Sequence, residues 1–143
     1  DGVIEKLYKE LGRKGKKNHK GFYEYPEGGK KFIWPGLATH YPLAPEQPNQ
    51  EYVTKRLMYR QALEVARCYQ ENVVTDPEDA DIGAIFGWGF APWTGGPLSM
   101  IDTIGVDKFV EECDALAQKH GSMFDVPENL RKMSANGETF YGS

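Results

Sequence analysis

The chain has 143 residues, 40% of them hydrophobic and 27% charged, and a formal net charge of −4. This length and composition are typical of one globular domain with its own core, and the acidic balance argues against a surface built throughout for nucleic acid or anionic membranes. No apolar run approaches the ~20 residues that a membrane span requires. Residue 1 is Asp rather than Met, which suggests a processed product or a piece of a longer protein.

The first fifty residues predict a helix, a basic loop and a linker. Apolar residues at helical spacing predict a helix over residues 3–11, with Gly12 as its C-terminal stop. A basic stretch at residues 13–20 precedes an aromatic run at 22–25. Four prolines within residues 35–50 predict an extended linker and a domain boundary, because proline donates no backbone hydrogen bond.

Two helices are predicted next. Apolar residues recur at steps of three and four across residues 52–72, which is helical spacing. Asp76 followed by Pro77 is typical of a helix N-terminus. In this second helix, which would end at Gly87, the side chains predicted to be buried are Ile82, Ile85 and Phe86.

The segment at residues 87–97 contains four glycines, two prolines and three large aromatic residues. It predicts a rigid loop whose aromatic side chains pack inward. Further helices are predicted over residues 98–103, 106–120 and 127–133, the second of which ends at His120 in a favourable C-terminal position.

The two cysteines, Cys68 and Cys113, fall on apolar helical positions and form no C-x-x-C pair. We expect buried free thiols and a reducing compartment, the cytoplasm.

A short internal sequence similarity relates the two ends of the chain. The motif that begins at Leu11-Gly12-Arg13-Lys14 and continues to Gly21-Phe22-Tyr23 is matched by Leu130-Arg131-Lys132, Gly137 and Phe140-Tyr141. This similarity predicts that the chain begins with the tail of one repeat and continues through a complete second copy of that repeat.

Motifs for catalysis are largely missing. The turn at Gly87 begins like a dinucleotide fingerprint, but Pro92 occupies the place of its third glycine and a helix precedes it, so we reject a nucleotide site there. The histidines and cysteines do not have the spacing of a metal site, and no serine lies in a nucleophile elbow. An acid–base pair of His and Glu could form only between residues that are distant in sequence and meet in the folded chain. The acidic cluster at residues 76–81 favours helix capping over a metal loop.

The basic stretch leaves three interpretations open. Lys14, Lys16 and Lys17 lie beside aromatic residues and could hold the phosphates of a CoA nucleotide, or form a solvated loop. Binding of single-stranded nucleic acid is the least favoured alternative, given the acidic remainder of the chain.

Several segments together closely resemble the C-terminal domain of 3-hydroxyacyl-CoA dehydrogenases, and in particular its second copy in the multifunctional α-subunit of bacterial fatty-acid oxidation complexes. They are residues 60–64, 71–74, 79–83, 87–92 and 95–98, preceded by the Gly-Arg-Lys…Gly-Phe-Tyr-x-Tyr signature at 12–25.

The resemblance implies an all-α helical bundle like the C-terminal domain of 6-phosphogluconate dehydrogenase, with an extended N-terminal arm. Residues 1–34 would be the tail of a preceding helical repeat, 35–50 a Pro-rich linker and 51–143 the helical domain. The parent enzyme would be an NAD-dependent oxidoreductase of fatty-acid β-oxidation. In that family the NAD-binding fold and the catalytic His/Glu pair lie upstream, so we expect this chain to be inactive alone and to bind no cofactor itself.

The partners that the resemblance implies are the upstream dehydrogenase domains, the acyl-CoA substrate of the parent enzyme and a thiolase subunit. A stand-alone helical module that binds a protein partner through exposed aromatics is the alternative function.

Overall fold

The computed structural model describes residues 2–142. The chain divides into two compact units, an N-terminal unit that ends at Gln47 and a C-terminal unit that begins at Pro48. Among the described residues no helix is both long enough and apolar enough to cross a membrane.

The N-terminal unit combines short helices with one hairpin. Helix α1 (Gly2–Glu5) continues into a π-helical turn at Lys6–Glu10. After a 3₁₀ turn at Lys16–Asn18, strands β1 (Tyr23–Glu24) and β2 (Phe32–Ile33) pair antiparallel.

The predicted extended linker is wrong over part of its length. Helix α2 (Gly36–His40) occupies its start, and the N–H of Tyr41 donates to the carbonyl of Leu37 at 2.8 Å. Pro35 adopts helical backbone angles (φ −60°, ψ −32°), so its fixed φ begins a helix here instead of preventing one.

A buried arginine organises the interior of the N-terminal unit. The Nε of Arg13 donates to the carbonyl of Gly21 at 2.8 Å, and Nη2 donates to Oε1 of Glu24 at 2.8 Å. The guanidinium carbon lies 3.9 Å from the centre of the Trp34 ring. Arginine suits such a site because its planar group can stack and hydrogen-bond at once.

Five helices form the C-terminal unit. They are α3 (Gln50–Gln70), α4 (Pro77–Trp88), α5 (Pro97–Ile104), α6 (Val106–His120) and α7 (Glu128–Asn136). Helix α3 packs against α5 and α7, and α6 packs against α7. The centre of the core consists of fully buried side chains from these helices, with Phe90 and Phe124 from the connections: Ala62, Leu63, Ala66, Leu98, Ile101, Phe109, Cys113 and Leu130. The predicted all-α class is confirmed.

Both cysteines are free thiols, but they differ in burial. Cys113 is fully buried, and this burial raises the pKa of its thiol to about 12. Cys68 is only partly buried, so the prediction of a buried thiol is confirmed for Cys113 alone.

Candidate functional site

Helix α4 faces the core with small residues and one carboxylate. Its buried residues are Ala80, Asp81 and Ala84. The prediction that Ile82, Ile85 and Phe86 form the buried face is therefore wrong: Ile82 and Phe86 are exposed and Ile85 is only partly buried. Small side chains bring the α4 backbone close to α5, which leaves no room for large ones on this face.

Asp81 is the polar centre of this packing, with 2% of its surface exposed. Its Oδ1 accepts from the N–H of Leu98 at 2.7 Å, and Oδ2 accepts from the N–H of Ser99 at 2.9 Å. Gly96 passes so close that a Cβ there would lie 2.3 Å from the Asp81 carboxyl carbon. Asp81 thus satisfies the free N–H groups at the start of α5.

The acidic cluster therefore divides between two helices. Oδ1 of Asp76 accepts from the N–H groups of Glu78 and Asp79, which confirms the predicted cap of α4. Asp81, which the sequence groups with that cap, holds the N-terminus of α5 instead. No local pattern in the sequence indicates this role, because Asp81 meets its partners only after α5 has packed.

The C-terminal tail is hydrogen-bonded to Asp81 and to Asp102 of α5. The hydroxyl of Tyr141 donates to Oδ2 of Asp81 at 2.7 Å, and the N–H groups of Phe140 and Tyr141 donate to Asp102 at 3.0 Å. Partial burial and the Asp81 hydrogen bond raise the pKa of Tyr141 to about 12, so its hydroxyl stays protonated and donates at neutral pH.

Large apolar side chains lie on the outer face of α4 and in the turn that follows it. Phe86 is 85% exposed and Trp93 is 86% exposed, and Ile82 and Trp88 are also exposed. We call the three aromatic residues Phe86, Trp88 and Trp93 the aromatic segment. The indole N–H of Trp88 donates to the side-chain oxygen of Gln61 on α3 at 3.1 Å, which fixes its ring near α3.

The glycine-rich loop only partly follows its prediction. Phe90 is buried, but Trp88 and Trp93 are exposed, so the expectation that all three aromatic side chains pack inward is wrong. Gly89 closes α4 with φ +78°, and its N–H donates to the carbonyl of Ile85. The loop thus begins at a helix C-terminus, whose carbonyls repel phosphate, and it does not fit the pyrophosphate of NAD.

His120 ends α6 as predicted, and its ring meets a tyrosine. Nε2 lies 2.6 Å from the hydroxyl of Tyr52. Partial burial and the neighbouring cations Arg56 and Lys119 lower the pKa of His120. The geometry pairs this histidine with a phenol, so it supplies no support for a His/Glu dyad at this position.

A second polar cluster joins α3 to α6. The hydroxyl of Tyr59 donates to Glu112, and Nζ of Lys55 lies 2.7 Å from the same carboxylate. Burial, followed by the bond to Glu112, raises the pKa of Tyr59. Within residues 2–142 no group of three His, Cys, Asp or Glu side chains could hold a metal ion.

The lysines singled out from the sequence are exposed in the N-terminal unit. Lys14 follows the buried Arg13, while Lys16 and Lys17 lie in the 3₁₀ turn. The side-chain amide of Asn18 donates to the carbonyl of Gly12 at 2.7 Å, and its oxygen accepts from the N–H of Lys14 at 3.0 Å. The structure thus brings the three lysines onto one ordered loop, and their binding of CoA phosphates stays a prediction.

No protein-family model matches the chain. Curated proteins do resemble it over most of its length. It is 39% identical over 150 residues to a fatty acid oxidation complex subunit alpha of Acinetobacter baumannii, a match covering 99% of this chain and 20% of that protein. Subunits of the same name from Shewanella amazonensis and Shewanella halifaxensis are 37% and 38% identical, each over 90% of this chain.

The chain spans about a fifth of the length of these relatives. The part that it matches is their C-terminal region. The recognition made from the motifs is therefore confirmed: the chain is a homologue of the C-terminal region of fatty acid oxidation complex alpha subunits, as expected for the C-terminal domain of a 3-hydroxyacyl-CoA dehydrogenase.

Proposed function

We propose that this chain is a non-catalytic helical domain that completes the dehydrogenase part of a fatty-acid oxidation α-subunit. Its C-terminal unit would pack on the upstream dehydrogenase domains through the aromatic segment. Residues 1–34 would be the tail of a preceding helical repeat, 35–50 the connection and 51–143 the packing domain.

The observation that carries this proposal is the distribution of apolar side chains on α4. Its inner face is covered by the core, yet Ile82 and Phe86 lie on its outer face and charged residues are confined to its first turns. From Ile82 to its end α4 has no charged residue, and a helix that is apolar on all sides is usually buried on all sides. Large exposed apolar side chains close together in sequence indicate an interaction surface, because covering one such side chain stabilises a complex by about 1.5–3 kcal/mol.

The length of the relatives indicates which partner would cover this surface. About four fifths of their length lies outside the segment that matches this chain, so a partner within the same subunit is available. A partner in the same polypeptide needs only modest affinity, because the linkage keeps its effective concentration high.

The reaction itself is assigned to the partner. A dehydrogenase of this kind transfers a hydride from the C3 carbon of a 3-hydroxyacyl-CoA to NAD, and the glycine-rich loop after α4 does not fit NAD. The role of this chain would be to hold the substrate cleft of the upstream domains in place. An acyl-CoA ligand and a thiolase subunit are further proposed partners of the whole subunit, not of this chain alone.

A chimera tests the proposal. In it, this chain replaces the matching segment of the A. baumannii subunit, and NADH formation from a 3-hydroxyacyl-CoA is measured. We expect activity from the chimera, none from the chain alone, and at least about a tenfold loss when Phe86→Ser and Trp93→Ser are combined. Met123→Ser, which removes another exposed apolar side chain, is the control. Turnover by the isolated chain, or full activity of the double variant, would contradict the proposal.

A further inference from the structure

A groove of about 240 Å³ lies between helices α3 and α6 of the C-terminal unit. Its lining is mostly apolar and includes Tyr52, Ala115 and the buried Leu116. Lys55 and Lys119 also line it. This volume is slightly below that of the sites that take drug-sized ligands, so the groove suits a small molecule.

Three basic side chains meet around Tyr52. Nζ of Lys119 lies 4.9 Å from the centre of the Tyr52 ring, and the guanidinium carbon of Arg56 lies 5.9 Å from it. Nε2 of His120 lies 2.6 Å from the hydroxyl of the same tyrosine. Because Tyr52 and Lys119 also line the groove, this cluster places positive charge beside an apolar surface.

The charge of this cluster is not balanced by a carboxylate. Within residues 2–142 no ion pair joins a carboxylate to the side chain of Arg56, Lys119 or His120. The carboxylate of Glu112, which also lines the groove, is paired with Lys55 at 2.7 Å. Partial burial and the cations Arg56 and Lys119 lower the pKa of His120. Like charges that meet in this way repel one another, and a bound anion would remove that repulsion.

Arg56 also lacks an acceptor for one of its buried N–H groups. Its Nε is buried and has no hydrogen-bond partner within residues 2–142. The negative end of the α6 dipole favours Lys119 and His120 at their positions, but it supplies no acceptor to this Nε. A buried N–H of a charged group without an acceptor costs free energy, and a carboxylate offers two oxygens that match the planar guanidinium.

We infer that this groove binds a small free carboxylic acid in its ionised form, with the carboxylate against Arg56 and Lys119. The apolar part of the ligand lies against Tyr52 and Leu116. The acyl end of an acyl-CoA is an uncharged thioester, so this ligand differs in chemistry from the substrate of the parent reaction. The site uses no residue of the aromatic segment and goes beyond the proposed function.

Titration of the complete chain with hexanoate tests the inference, by calorimetry and by NMR of the His120 ring. We expect hexanoate to bind saturably at one site, and acetate to bind more weakly because it has little apolar surface. Hexanol, which has no charge, should show no saturable binding. A bound anion stabilises the protonated imidazole, so hexanoate should raise the pKa of His120, whereas hexanol should leave this pKa unchanged. Raising the salt from about 50 to about 200 mM should weaken hexanoate binding, since the contacts are charged.

Variants locate the site. Arg56→Gln should weaken hexanoate binding at least about tenfold, because it removes a charged hydrogen-bond donor, and Lys119→Gln should weaken it severalfold. Arg60→Gln is the matched control, since Arg60 lies on the same helix but is paired with Glu64 at 2.8 Å, and it should leave the affinity unchanged. Lys119 is exposed, so its replacement tests the site without disturbing the core.

Four results would overturn the inference. They are no saturable binding of hexanoate, equal binding of hexanol, unchanged affinity in both Arg56→Gln and Lys119→Gln, and displacement of hexanoate by the A. baumannii subunit without the segment that matches this chain. The last result would make the groove part of a protein interface instead. Circular dichroism of each variant ensures that a lost signal does not reflect unfolding.

Discussion

The two faces of α4 reverse the usual distribution of side chains. The inner face carries Ala80, Asp81 and Ala84, whereas the outer face carries Ile82 and Phe86. Small residues inside allow close packing on α5, whereas the large apolar residues outside are exposed. The inner side of this helix therefore supports the fold, and the outer side is the one for which we propose an interaction. Substitutions on each side test this division.

The largest effect is expected on the inner face, at Asp81. An Asn side chain offers one acceptor oxygen where the carboxylate uses two, and its amide would face an N–H donor. We expect Asp81→Asn to lower the free energy of unfolding by about 2–4 kcal/mol in urea titrations. Asp79→Asn, on the exposed first turn of the same helix, is the control and should change it by less than about 0.5 kcal/mol. Equal effects of the two changes would show that Asp81 is not the centre of this packing.

A smaller loss is expected when the inner face is enlarged. Ala84 is fully buried, so Ala84→Leu must displace its neighbours, and we expect a loss of about 1–3 kcal/mol by the same measurement. Gly87→Ala in the same helix is the matched control, because a Cβ there meets nothing within 4 Å. That change should stabilise the chain by about 0.5–1 kcal/mol. If Ala84→Leu were tolerated, the close approach of α4 to α5 would be in doubt.

The bond between Asp81 and Tyr141 predicts a pH dependence. The folded pKa of Tyr141 is about 12, above the ordinary value of 10.0. A raised pKa means that its contribution to stability is fully present below pH 10 and is lost as the pH rises through 12. The difference in melting temperature between the wild type and Tyr141→Phe should therefore shrink over this window. A difference that stays constant from pH 9 to 12 would argue against a protonated, donating Tyr141.

The smallest effect on stability is expected on the outer face. Because Phe86 and Trp93 are almost fully exposed, replacing each with Ser should change the free energy of unfolding of the isolated chain by less than about 0.5 kcal/mol. Urea titration of the two variants measures this directly. A loss above 1 kcal/mol would show that the aromatic segment supports the fold itself.

Much of the fold could be predicted because its helices have clear periodicity and capping residues. Helix α6 spans the predicted residues, and Asp76 caps α4 as expected. The faces of α4 could not be assigned, because its apolar residues from Ile82 onward lie on both faces and its inner face also carries a carboxylate, so no periodicity identifies that face.

Other features depend on contacts between distant residues. Asp81 meets Leu98 and Tyr141 only after α5 and the tail have packed, so no local pattern distinguishes it from a capping carboxylate. The hairpin was missed because each strand has only two residues. For the basic loop, the sequence singles out Lys14, Lys16 and Lys17, and their binding of CoA phosphates stays a prediction.

A direct binding measurement shows whether the aromatic segment is the surface through which this chain joins the rest of an α-subunit. Sedimentation velocity would measure the affinity of this chain for the A. baumannii subunit shortened by its matching fifth. We expect a one-to-one complex that the Phe86→Ser and Trp93→Ser double variant weakens at least about tenfold, while Met123→Ser leaves it unchanged. Equal affinity of the wild type and the double variant, with both folded, would contradict it.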